Sequence, residues 1–431
     1  MRRAALVLTV VLAGCGDGDR TGGKPGARVT RAAGSAVESR DATALRRLLA
    51  RRAATLQDGR ARAYAATSTG AQRTRDRRSA RNARRLRLRD VELAVRSLDL
   101  RGRRATLRVT SLYGVRGVPG RFAAARRVTA LRTRAGWRVR AETSRRERHP
   151  WEVGPVTERR TRHFVVLAPR GIDLASGGLR EALESGYRRM RQALRRPRLQ
   201  PRYLVVVADG PAIARALTRR IRGIGGLAAI SDTGVREEGA ARRVASVASQ
   251  RLLVVWTAFG ALDPEGRVRV VTHELTHVAL AKVTSGRMPA WLLEGAALHA
   301  SGDRRVDRAA RLIGETVISG SGSRATRRSL ALSRLSRPDA IAGLGGAGQE
   351  AAYAYSSAAA FYIVARFGRR RYLDLYDVFN DETLDGRPGV ALTDRAVRRV
   401  LGISFVALER DLRRWILTRA LVAPGAPSER R

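Results

Sequence analysis

One cysteine, Cys15, stands in 431 residues, so no internal disulfide can brace the fold. Lysine is almost missing as well. Only Lys24 and Lys282 accompany arginine among 85 basic residues. The formal net charge of +47 is therefore an arginine charge, of the kind a GC-rich coding sequence with abundant alanine and glycine leaves on solvated surfaces. Its functional reading is attraction to anionic lipid headgroups or wall polymers. Aromatic residues make up 5% of the chain and do not interleave with basic runs, so nucleic acid is not an expected partner. Beyond the N-terminus no stretch approaches the roughly 20 apolar residues of a membrane-spanning helix. Apolar residues nevertheless reach 44%, which excludes a disordered polyelectrolyte. The length points to two or more domains.

The first fifteen residues, MRRAALVLTVVLAGC, place a basic pair before a short apolar run. This is the outline of a signal peptide, too short to span as a membrane helix. The run ends in Leu12-Ala13-Gly14-Cys15, which resembles a bacterial lipobox. The resemblance implies lipidation of Cys15 and an extracytoplasmic protein held to the cell membrane by its lipidated first residue.

Residues 16–34 are rich in glycine and polar residues and read as a flexible tether. A helical pattern from Ser35 to about Ala80, with Leu45, Leu48, Leu49 and Tyr64 on recurring faces, gives way to period-two alternation. The alternating stretches are 91–100, 104–113, 126–133 and 136–143, expected as an antiparallel meander. A small α+β domain over 35–148 follows, and its element order resembles the nuclear transport factor-like (cystatin-like) domains. Residues 149–160 read as a linker with two prolines. The larger unit, 161–421, begins with strands at 163–169 and 203–208 and helices at 177–194 and 211–221. Strands at 226–231 and 251–256 come next, and after Gly302 the pattern is mostly helical. A tail, 422–431, closes the chain. The fold class is α+β, with a mixed sheet and a helical C-terminal part in the larger unit.

Two of the five histidines lie in VVTHELTHVAL, residues 270–280. Asp263-Pro264-Glu265 is a helix start: a capping side chain, proline at the first position and an acid in the first turn. The expected helix runs to about Thr284 and stops at Ser285-Gly286. His273 and His277, four apart, then share one face and can bind one ion, with Glu274 beside that face. A catalytic zinc needs three protein ligands and an open position. The next candidate is Glu294, in a second helix starting near Pro289, among Trp291, Leu292, Leu293, Ala296 and Ala297. A carboxylate in so apolar a helix is costly unless paired or metal-bound.

The pattern His273-Glu274-Leu275-Thr276-His277, Pro289, Trp291-Leu292-Leu293-Glu294-Gly295 resembles the gluzincin metallopeptidases, and within them the peptidase MA-like group of bacterial proteins. By motif the resemblance covers 270–300, and by element order about 160–420. It implies a zincin-type domain with one zinc ion per chain. His273, His277 and Glu294 would be the ligands and Glu274 the general base. Related enzymes use a downstream tyrosine to stabilise the oxyanion, which implies Tyr353, with Ser356 three residues on; Tyr355 is the alternative. His299 stands where the group more often has an aromatic residue, and it reads as a supporting or core histidine. His149 and His163 receive no role. The strand just before the histidine helix, 251–259, is expected to be an edge along which an extended peptide pairs.

The resulting expectation is a zinc-dependent, membrane-anchored metallopeptidase acting on peptide or protein substrates. Endopeptidase action is preferred, since no group to hold a free amine stands out. The alternative is a catalytically inactive peptidase fold that binds wall polymers or partner proteins. The intact Glu274 favours the enzyme, because a scaffold has no need of a base.

Overall fold

The structure, a computed structural model, describes residues 11–14, 36–144, 147–175, 177–195, 199–218, 227–239, 242–318 and 323–422. Cys15, the tether and the last nine residues lie outside them. The architecture is mixed α+β, with one antiparallel and one mixed sheet. Strand β1, Val11–Gly14, belongs to the mixed sheet. The helices Ala36–Gln57, Ala61–Ala66 and Gly70–Ala83 precede four consecutive antiparallel strands. These are β2 (Leu88–Arg101), β3 (Arg104–Val115), β4 (Phe122–Thr133) and β5 (Gly136–Ser144). In β4 and most of β3 inward and outward residues alternate, as a half-buried sheet requires, until Tyr113–Val115, where all three are buried.

The larger sheet uses β6 (Val156–Arg160), β7 (Phe164–Pro169), β8 (Tyr203–Ala208), β9 (Ala229–Glu238) and β10 (Arg243–Val255). Its order is β1-β9-β10-β8-β7-β6. The pairs β7–β8, β8–β10 and β1–β9 are parallel, whereas β9–β10 and β6–β7 are antiparallel. Runs such as Tyr203–Ala208 are apolar at every position because both faces of this sheet are covered. Val166, Val205, Leu252 and Val254 pack beneath the sheet with Leu183, Val271 and Leu275. Val165, Leu167, Leu204, Val206, Leu253 and Val255 point the other way and share a core with Tyr113, Phe122 and Trp151 of the N-terminal unit. The antiparallel unit is thus built into the roof of the larger sheet.

Two expectations change here. The stretch read as a linker, 149–160, carries the short helix Pro150–Val153 and strand β6. Its Trp151 is buried and meets the Tyr113 ring edge-on at 4.8 Å, so the two prolines mark a capped turn and not a loose connection. The 251–256 strand is not an edge. It is the C-terminal part of β10, held between β9 and β8, which is why Leu252–Val255 is apolar throughout. The edge strand on that side of the sheet is β1, Val11–Gly14, with β9 next to it.

A buried ion network holds the small unit together. Arg52 is inaccessible to solvent and bonds Asp76 through both amino groups, at 2.6 and 2.9 Å. It also donates to Glu142, Thr67 and Ser68. Removing the cation strands two carboxylates. Arg52→Ala is expected to cost about 3–5 kcal/mol, read as a lower urea midpoint in tryptophan fluorescence.

His149 supplies a pH dependence. It is buried, bonds Ser111 Oγ at 2.8 Å and stacks on Trp151. Burial, and then Arg126 and Arg251, hold its pKa well below the usual imidazole value. The unfolded chain therefore takes up a proton first as pH falls, so stability is full above about pH 6.5 and declines below it. Thermal unfolding between pH 7 and pH 5 should show this decline, and His149→Gln should flatten it.

Candidate metal centre

Three helices make the site. The histidine helix, Pro264–Leu280, starts at the Asp263 cap, whose side chain accepts from the Gly266 amide. It ends one turn before the expected Thr284, whose amide and hydroxyl both bond the Leu280 carbonyl. Its polar neighbours are settled within the helix: the Thr272 and Thr276 hydroxyls return to the carbonyls of Val268 and Thr272. The glutamate helix, Ala290–Ser301, crosses the tyrosine helix, Gly346–Asp377, at Gly295. A β-carbon at Gly295 would lie 2.8 Å from the Ser356 carbonyl oxygen. The glycine after Glu294 is thus what lets the two helices approach.

His273, His277 and Glu294 converge, at most 5% exposed. The two Nε2 atoms are 3.0 Å apart, and they lie 3.3 and 3.7 Å from Glu294 Oε2. Metal–ligand bonds of roughly 2.0–2.2 Å in a tetrahedron imply donors about 3.3–3.6 Å apart. The three atoms therefore mark one triangular face of such a polyhedron. Glu294 Oε2 has no hydrogen-bond partner and is buried. Burial lowers the His273 pKa and favours its neutral form, the form that ligates. Burial alone would raise Glu294, but the His277 and His273 imidazoles outweigh it and hold the carboxyl at about 2. Two imidazoles and a carboxylate are donors a divalent cation takes, so this buried group could hold a metal ion.

Glu274 sits beside the ligands, fully buried. Its Oε2 accepts from the Ser231 amide of β9 at 2.6 Å, and its Oε1 is without a partner. Burial, followed by the Glu294 charge, pushes its carboxyl well above the usual range, and the Ser231 bond offsets only part of this. Ser231 had no signal in the sequence. It meets Glu274 through its amide, and its side chain also favours the ionised carboxylate.

Tyr353 is 3% exposed. Burial, then the charges of Glu294 and Glu274, raise its hydroxyl well above the ordinary value, so it faces the two acids as a protonated donor. Gln349, one turn earlier, bonds the hydroxyl, and the Arg305 guanidinium stands 5.9 Å from the ring centre. Neither residue stood out in the sequence. Tyr355 turns away, toward Glu409 and Arg413. Ser356 is buried on the same helix and its hydroxyl has no partner. His299 lies outside the cluster, 4.8 Å from the Phe361 ring and 6.0 Å from Tyr372. Burial drops its pKa to about 4, as befits a neutral core ring.

Comparison with profiles of known protein families, with characterised proteins and with solved structures finds no match. The site therefore stands on its own geometry.

Metal analysis of the purified protein should find about one divalent ion per chain, the capacity of a single three-ligand site. Glu294→Ala should weaken the metal by more than the roughly 10–100-fold that loss of an outer-shell group costs. Glu274→Gln should keep it.

Proposed function

We propose that the protein is a zinc metallopeptidase of the gluzincin kind, acting outside the cytoplasm and anchored by a lipid on Cys15. On this reading the antiparallel unit is a nuclear transport factor-like domain set on a zincin-type catalytic domain. The observation that carries it is one buried acid and two buried imidazoles on a triangular face, with a second carboxylate beside them that keeps one oxygen free. Two supporting features are the histidine helix packed under a mixed sheet and the sequence pattern from His273 to Gly295. Among the described residues no helix is long and apolar enough to cross a membrane.

His273, His277 and Glu294 would hold the ion. Bound there, zinc would supply Lewis acidity toward a water molecule and the scissile carbonyl. Glu274, anchored through Oε2 by the Ser231 amide, uses Oε1 to take the proton of the attacking water. It returns that proton to the leaving nitrogen as the C–N bond breaks. The Tyr353 hydroxyl donates to the carbonyl oxygen as negative charge grows on it. The substrate backbone extends the sheet along the outer edge of β9, next to the amide that steers Glu274. Val11–Gly14 line that edge, and removal of the leader at Cys15 leaves it open.

One observation favours the rival reading of a silent, peptidase-shaped binding scaffold: every side chain of the site is at most 5% exposed. Turnover separates the two. With a quenched peptide library, Glu274→Gln is expected to lower the rate roughly 10²–10⁴-fold. Tyr353→Phe should lower kcat about 10²–10³-fold with little change in KM. Metal-replete protein that cleaves nothing in the library would leave the scaffold reading in place.

A further inference from the structure

A second concavity lies away from the metal ligands, where β7 and β8 begin beside the helix Leu179–Leu194. It is an open hollow of about 580 Å³. Its flat floor is the His163 ring stacked on Tyr187, with centroids 3.9 Å apart and planes 13° from parallel. Arg162, Arg191 and Arg202 stand around it.

In an arginine-rich chain this needs more than a count of charges. Most guanidiniums that converge here should find acids, and these do not. Arg162, Arg191 and Arg202 make no side-chain ion pair among the described residues. The nearby acids are spent: Glu184 bonds His163 Nδ1 at 2.6 Å and also accepts from its amide, and Glu158 pairs with Arg160. Residues 187–202 carry seven arginines and no acid, so the flanking chain brings no counter-charge. Arg202 is tethered by its Nε to the Arg162 carbonyl. Its guanidinium and that of Arg160 both crowd Gly117, where a β-carbon would lie 3.4 and 3.1 Å from them. Three cations around one hollow, with no acid of their own among the described residues, favour a bound anion. Guanidinium forks suit the oxygens of a phosphoryl group, and the His163–Tyr187 floor suits the carbon part of its ester.

We propose that this concavity binds a phosphate ester, independently of the metal centre. The probe is glycerol 3-phosphate, titrated calorimetrically into the purified protein at fixed ionic strength. Saturable binding of one equivalent is expected. It should weaken at least tenfold in Arg162→Ala/Arg191→Ala/Arg202→Ala and less than twofold in Arg104→Ala/Arg127→Ala/Arg134→Ala. The second variant removes the same charge from exposed positions on the small sheet. Should the first triple variant fold poorly, the exposed Arg191→Ala alone should weaken binding about threefold. Equal weakening in both triple variants, or no saturation, overturns the proposal, since charge alone would explain it. Phosphatidylglycerol vesicles in the same series identify the source of the phosphate. Capture that the site triple variant loses and glycerol 3-phosphate competes away assigns a lipid headgroup. Capture that persists in the site triple variant assigns a soluble ester.

Discussion

A carboxylate placed in an apolar interior loses its hydration, and nothing but a compensating charge or a full set of hydrogen bonds restores the balance. Glu294 is in that position. It projects from a helix made otherwise of tryptophan, leucine, alanine and glycine up to His299 and Ser301 at its end, and its Oε2 has no hydrogen-bond partner. Two imidazole nitrogens face it, close to each other and to the carboxylate, in the arrangement a shared cation would satisfy. Much of the surrounding structure serves this constraint. Gly295 lets the tyrosine helix close over the acid, Thr272 and Thr276 satisfy themselves within their own helix, and the charges of Glu294 and Glu274 keep the buried Tyr353 hydroxyl protonated.

The sheet connects this site to the rest of the molecule. Its lower face rests on the histidine helix and its upper face on Tyr113, Phe122 and Trp151 of the N-terminal unit. Strand β9 carries the link. At Ser231 its amide holds Glu274, and at Asp232 its carboxylate pairs with Arg251, which is itself buried under the N-terminal unit. Movement of the small unit on the sheet would therefore be felt within one residue of the proposed base.

Much was legible without coordinates because it rests on local chemistry. The period-two alternation of 104–113 and 126–133 marks strands since pleating alternates side chains. Asp263-Pro264 marks a helix start because cap and ring geometry are local. The i, i+4 spacing brings His273 and His277 to one face. Glu294 stood out because a lone acid amid apolar neighbours is costly anywhere. Other features carried no such signal. The 149–160 stretch looked like a linker because prolines are read locally, whereas Trp151 is buried by residues distant in the chain. An apolar run such as Leu252–Val255 reads the same at an edge or in the middle of a sheet, and only strand order tells them apart. Ser231 meets Glu274 across 43 residues of sequence, chiefly by an amide whose donor leaves no mark in the choice of side chain.

By itself the sequence determined the donor types, their helical spacing, the alternation that makes the small sheet and the arginine excess over acids. Each of these follows from side-chain chemistry and periods of two or 3.6 residues. The tertiary structure alone decided how closely Glu294 meets the histidines, that Tyr355 turns toward Glu409 and Arg413, and which strand lies at the edge. It also left Arg162, Arg191 and Arg202 around one concavity with no acid paired to them among the described residues. These are relations between segments far apart in the chain, set by helix crossings and strand order, and no local rule contains them.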